Sequence, residues 1–198
     1  MLPCGDHAVL LDCETLDEAQ GWFAALHDDT EAVLGARTVL LRGNPSALRA
    51  LVQHTEPQDA AATGTGDEIE ISVVYDGSDL SDVATITGLS EDEVVAAHTG
   101  TSWTVAFGGF APGFVYLVGG DERLAVPRRD SPRASVPAGS VGLAGEFSGI
   151  YPRSSPGGWQ LIGRTDAVMF DVDRDPPALL APGARVRFEA LRQAQEPS

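Results

Sequence analysis

Six arginines fall at positions 123, 128, 129, 133, 153 and 164, and the stretch that holds them contains only two acids, Asp130 and Glu146. That stretch is therefore formally +4, whereas the whole chain is −16, which leaves −20 on the remainder. A basic island in an acidic chain suits a small anion or a carboxylate. Pro127, Pro132 and Pro137 thread the run "LAVPRRDSPRASVPAGSVGLAG" (124–145) and exclude a regular helix or a central strand there. Stiff, extended backbone would hold Arg128, Arg129 and Arg133 in place, and a fixed guanidinium can grip a carboxylate through two parallel hydrogen bonds. The bland alternative is a set of solvated arginines balancing acidic surface, worth about 0–1 kcal/mol per pair.

Two further segments share this composition. "GGFAPGFVYL" (108–117) packs three aromatics, three glycines and a proline into ten uncharged residues. Glycines there allow close approach of another backbone or a ligand, and Pro112 holds Ala111 extended. Phe107 and Phe110 either tuck into the core behind a tight turn or, with Phe114 and Tyr116, form a pocket wall. "GIYPRSSPGGWQLIGRT" (149–165) sets Tyr151 and Trp159 beside Arg153 and Arg164. Ser154 and Ser155 lack the strand–turn–helix setting of a nucleophilic serine and have no histidine following them, so their hydroxyls read as hydrogen-bonding groups.

The histidines are His7, His27, His54 and His98, with no pair at metal-ligand spacing and no cysteine pair beside them, so no metal site is expected. His98 ends a capped helix, where the helix dipole would raise its pKa. It either stabilises that terminus or exchanges a proton. All thirteen basic residues are arginine. Without lysine there is no Walker A phosphate loop and no Schiff-base chemistry, so any nucleotide would sit largely on another chain. The negative balance excludes a nucleic-acid binder. Neither a membrane span nor a basic-then-apolar leader is visible, which makes the cytoplasm the expected location and leaves Cys4 and Cys13 expected to be reduced.

These residues need a scaffold. His7–Cys13 reads as a strand, Thr15–His27 as a helix with Thr15 and Glu18 in capping-box spacing, and Ala36–Arg42 as a strand. Asn44 and Pro45 open a second helix, with a short extra strand at Val33–Gly35. "EPQDAAATGTGD" (56–67) reads as a linker or long loop, and Glu68–Tyr75 alternates as a half-buried strand. Asp79–Thr87 and Ser90–Thr99 read as short helices, the second with Ser90 and Glu93 in capping-box spacing and Gly100 as its stop. Thereafter "SWTVAF", "SVGLAG", "WQLIG", "VMFDV" and "RVRFEAL" read as short strands of a β-barrel. The expected fold class is α+β, with a small α/β sandwich over residues 1–75 and a barrel over 76–198.

"GFAPGFVYL", "VPRRDSPRASVPAGSVGLAG", "GIYPRSSPGGWQLIGRT" and "ISVVYDGSDLSDVATITGLSEDEVVAAHTG", in that company, resemble the family of the 5-oxoprolinase B subunit, also called KipI or allophanate hydrolase subunit 1. Ser72 stands where family members usually place a proline. The resemblance implies a ferredoxin-like amino-terminal domain and a cyclophilin-like barrel. It also implies work in a complex with two other proteins, one KipA-like and one LamB/YcsF-like. That complex opens 5-oxo-L-proline to L-glutamate with ATP as cosubstrate, bound largely by the partners. On that basis His98, Arg128 and Arg133 are expected to serve catalysis. Arg153, Arg164, Phe110, Phe114, Tyr116, Tyr151 and Trp159 are expected to bind a small carboxylate substrate. Two other roles fall within the same resemblance: inhibition of a histidine kinase, and an association with urea carboxylase or allophanate hydrolase.

Overall fold

The computed structural model describes residues 1–58 and 68–191. Most of the expected linker, residues 59–67, lies outside the described residues. Two compact units divide between Thr65 and Gly66.

In the first unit, period-2 alternation buries Val9 and Leu11 of β2 (Ala8–Asp12) and Val39 and Leu41 of β4 (Thr38–Arg42) on one face. Ala19 and Leu26 of α1 (Leu16–Leu26) and Leu48 and Val52 of α2 (Pro45–Gln53) are buried with them. The caps read from sequence form, with one change. Thr15 Oγ1 accepts the Glu18 N–H at 3.1 Å, but the Glu18 carboxylate accepts from Glu14 N–H at 2.8 Å rather than from Thr15. Asn44 Oδ1 accepts from the Ser46 and Ala47 N–H groups, with Pro45 at the first helical position where no donor is needed.

The antiparallel sheet runs β1 (Leu2–Pro3), β2, β4, β3 (Glu31–Leu34). This is a ferredoxin-like arrangement in which the amino-terminal residues Leu2 and Pro3 occupy the edge that a strand following α2 would fill. The strand after α2, β5 (Glu68–Val73), belongs to the second unit instead. It lies parallel to β13 (Arg185–Ala190) over six residue pairs. The expected boundary at residue 75 is thereby corrected: β5 alternates because one of its faces lines the barrel, and alternation alone does not say which sheet a strand joins.

In the second unit α3 (Leu80–Thr87) ends on Gly88 in the left-handed region. α4 (Glu91–Gly100) carries the full Ser90/Glu93 capping box. The remaining strands are β6 (Trp103–Gly108), β7 (Val115–Val118), β8 (Arg133–Val136), β9 (Ser140–Ala144), β10 (Phe147–Ile150), β11 (Ser155–Gly157) and β12 (Gln160–Arg164). Their order, β12-β9-β10-β7-β6-β13-β5, makes a seven-stranded sheet whose ends meet through a bridge between Val74 and Arg164, so the barrel is nearly closed. β8 and β11 form a separate two-stranded ribbon. "VMFDV" is not a strand; only Phe170 makes a bridge, to Ala178.

Alternate residues of the same strands serve two different cores. Leu117, Leu143, Ile150, Ile162 and Phe188 join the main core together with Val83 and Val94 of the helices. Ala144 and Leu161 join a second cluster with Phe114, Val136, Tyr151 and Trp159, against which Tyr116 packs. That second cluster is where the candidate site forms.

Candidate functional site

The loop joining β6 to β7 is short and turns hard. Gly109 N–H donates to Phe114 O at 3.1 Å and Phe114 N–H to Ala111 O at 2.9 Å. Phe110 sits at the apex with φ 66°, a left-handed backbone that bulky residues rarely adopt, and it is 59% exposed. Gly113 answers part of why glycines recur here: it has φ 80°, and a Cβ on it would stand 2.6 Å from the Phe170 Cβ. Phe107, by contrast, is buried and stacked on Tyr116.

Behind Phe110 the rings meet edge to face. Phe114 lies 5.4 Å from both Tyr151 and Trp159, and Tyr116 lies 5.6 Å from Trp159. With Phe110 and Arg128 these rings enclose a cavity of about 80 Å³, bounded on its ribbon side by Pro156, Gly157 and Gly158. Gly157 lets the Tyr151 hydroxyl come close, since a Cβ there would lie 2.3 Å from that oxygen. Burial pushes the Tyr151 phenol above its ordinary pKa, opposed by a main-chain hydrogen bond at Trp159 and by the Arg128 charge. All five aromatics expected from sequence are thus brought together.

The arginines divide. Arg128 is exposed at the cavity rim, and its guanidinium makes no hydrogen bond or ion pair among the described residues. It also lines a wider, open groove of about 480 Å³ beside α3. Arg129 and Arg133 are committed elsewhere: their guanidiniums donate to Asp79 Oδ1 at 2.7 and 2.6 Å. Asp79 is only 1% exposed, and its other oxygen accepts the Leu161 N–H at 2.7 Å. A buried carboxylate needs this compensation, and Arg133, expected to serve catalysis, is engaged in it and lies outside the cavity lining. Arg164 is paired with Asp76 at 3.0 Å, away from the cavity lining. Arg153 is exposed and likewise outside the lining. Ser154 Oγ shares a hydrogen bond of 2.8 Å with Ser135 Oγ.

His98 is fully buried. Its Nδ1 is 2.7 Å from the Tyr75 hydroxyl and its Nε2 2.8 Å from Ser148 Oγ, while the ring stacks on Phe188 at 4.3 Å. The Trp103 indole N–H donates to its carbonyl at 3.0 Å. Burial pushes its pKa down to about 3, opposite to the rise expected from the helix terminus. His98, expected either to stabilise the helix end or to exchange a proton, lies outside the cavity lining. Desolvation outweighs the dipole, and the residue pins α4 to the barrel. The helix end was legible from sequence, but its insertion into the core was not.

Two residues of the site escaped the sequence reading. Asp79 sits where a helix cap is expected but makes no capping bond with its side chain, which faces the arginines instead. Gln160, 6% exposed, donates from Nε2 to Pro127 O at 3.2 Å. Among the described residues, no group of three or more His, Cys, Asp or Glu is placed to hold a metal ion, and no helix is long and apolar enough to cross a membrane. Cys4 is exposed and Cys13 buried, both free.

Residues 1–180 match the carboxyltransferase domain, subdomain C and D. The chain is 48% identical over 166 residues to the 5-oxoprolinase B subunit of Escherichia coli O157:H7, covering 80% of this chain and 76% of that protein. It is 50% identical over 128 residues to the protein of the same name in Bacillus subtilis strain 168, covering 63% of this chain but only 53% of the relative. Among solved structures it is similar to TTHA0988, with 35% identity and a TM-score of 0.78 over 96% of this chain and 41% of that one.

Proposed function

Since this chain belongs to the carboxyltransferase domain family, subdomain C and D, we propose that it serves as the B subunit of an ATP-dependent 5-oxoprolinase. It would act in the cytoplasm, in complex with a KipA-like protein (the C subunit of such an enzyme) and a LamB/YcsF-like protein (the A subunit). The observation that carries the reading is the small aromatic cavity with one uncommitted guanidinium, Arg128, at its mouth. The names of the two curated relatives favour this role over a kinase inhibitor or a urea-carboxylase component.

The lactam ring of 5-oxo-L-proline is flat and partly apolar, and edge-to-face rings give it a wall on several sides. Arg128 meets the carboxylate with a charge-assisted hydrogen bond. Tyr151, a phenol and so protonated at neutral pH, offers a hydroxyl to a polar edge of the ring. Phe110 closes over the ligand and excludes water. Opening the ring breaks the amide C–N bond and adds the elements of water, giving a new carboxylate and an amine. ATP hydrolysis drives that step, with its phosphates held largely by the partner proteins, because this chain has no lysine for a Walker A phosphate loop. This chain's own share is to bind the ring and hold it in register, so Arg128 and the five aromatics are substrate-binding groups.

The test is reconstitution. Glutamate release from 5-oxoproline and ATP should require all three proteins, and Arg128→Ala in this chain should raise KM about 10- to 100-fold, the size expected for one lost charge-assisted bond. Equal activity without this chain, or a KM within twofold for Arg128→Ala, overturns the reading.

A further inference from the structure

Arg128 has no partner of its own among the described residues, yet both of its neighbours are tied down. On one side, Gln160 holds the Pro127 carbonyl at 3.2 Å. On the other, the Arg129 N–H donates to the Gly158 carbonyl at 2.8 Å while its side chain reaches Asp79 at 2.7 Å. Farther along, Arg133 pairs with Gly157 across the ribbon and donates to both Asp79 and Ser78, at 2.6 and 2.9 Å. Asp79 itself is fixed from the barrel side by two bonds with the Leu161 main chain: its Oδ2 accepts the Leu161 N–H at 2.7 Å, and its own N–H donates to the Leu161 carbonyl at 2.9 Å.

The same residue therefore touches three separate pieces of the unit: the entry to α3, strand β12 next to Trp159, and both ends of the 129–133 turn. A salt bridge this deeply buried does little for net stability, because desolvation offsets the attraction. It does impose one geometry on Asp79, which is 1% exposed and has no water to turn to, while Arg129 and Arg133 reach it from partly exposed positions. A rim guanidinium on a loop free to move would lose binding free energy to ordering each time ligand entered.

We propose that Asp79 is a positioning residue of the 5-oxoproline site, which sets Arg128 over the aromatic cavity by clamping Arg129 and Arg133 on one side of it. The inference rests on the functional reading above. Its ligand contact is made only through Arg128.

The experiment is a double-mutant cycle in the reconstituted three-protein enzyme. Asp79→Asn keeps the shape and removes the charge; it should raise the KM for 5-oxoproline about tenfold and leave kcat within about threefold. In an Arg128→Ala background the same Asp79→Asn change should add less than about twofold to KM, because nothing remains to be positioned. Should Asp79→Asn fail to fold, Arg129→Gln carries the same cycle with a smaller expected rise of about threefold. Additive effects, or a lower melting temperature with KM unchanged, overturn the positioning role and leave the cavity reading intact. An unchanged KM in Arg128→Ala alone overturns the cavity reading first.

Discussion

Val74 and Arg164 exchange both of their main-chain hydrogen bonds, at 2.8 and 2.9 Å, and so join the strand at one end of the barrel order to the strand at the other. Gly163 makes this approach possible. A Cβ there would stand 2.6 Å from the Val74 carbonyl oxygen and 2.8 Å from a Val73 methyl carbon, and backbone cannot give way as a long side chain can. Gly163→Ala should cost about 1–3 kcal/mol in chemical denaturation. Gly100→Ala, at the end of α4 where an added Cβ meets nothing within 4 Å, should stay within about 0.5 kcal/mol. Equal midpoints for the two variants would show that the seam is not tightly packed.

The buried His98 predicts a pH dependence with a definite sign. Its folded pKa, about 3, lies below the ordinary 6.5 because burial disfavours the charged ring. Between those values the unfolded chain holds the proton and the folded chain does not, so stability falls as pH drops through 6.5 toward 3. The slope from this residue reaches about 1.4 kcal/mol per pH unit at most. His98→Gln should be less stable at pH 7, by about 1–3 kcal/mol for the lost buried hydrogen bonds, yet flatter between about pH 6.5 and 5. Urea midpoints at about pH 7, 6 and 5 measure both quantities. An identical slope in the variant would mean that His98 is not the origin of the dependence.

Phe110 separates binding from stability. Its φ of 66° is unfavourable for any residue with a Cβ, and its ring is mostly exposed. Phe110→Gly should leave the unfolding free energy unchanged or raise it by up to about 1 kcal/mol. The same change should raise the KM for 5-oxoproline about 3- to 10-fold, because the cavity loses one wall. Thermal melts and steady-state kinetics on the complex test the pair of outcomes. A destabilised variant with normal KM would make Phe110 a folding residue and not a site residue.

Local signals carried the sequence reading far. Caps at Thr15, Asn44 and Ser90 form where their spacing places them, and the aromatics of two separate segments converge on one cavity. The loop around Arg128 is held by Gln160, Gly158 and Asp79, and the proline-threaded run also contains strands β8 and β9, the latter central in the sheet. What was not legible depends on contacts distant in the chain. Asp79 lies 50 positions before Arg129, and nothing in "YDGSDL" distinguishes a helix cap from a buried counter-ion. The same holds for β5, whose alternation is right but whose partner is the last strand. The direction of the His98 pKa shift was not legible either, because a histidine at a helix end shows its dipole in sequence, whereas the Ser148 and Phe188 that enclose it come from distant strands.

The parallel seam between β5 and β13 has a consequence for how the second unit is made. Glu68 and Arg185 are 117 positions apart, and the strands that carry them pair along their whole length. While the final strand is still unsynthesised, the opening strand and Trp103–Gly108 each present a raw edge to any neighbouring chain. Ring closure is therefore a late event in which high loop entropy is overcome in one step. A chain that stops short of Arg185 therefore leaves both of those edges uncovered.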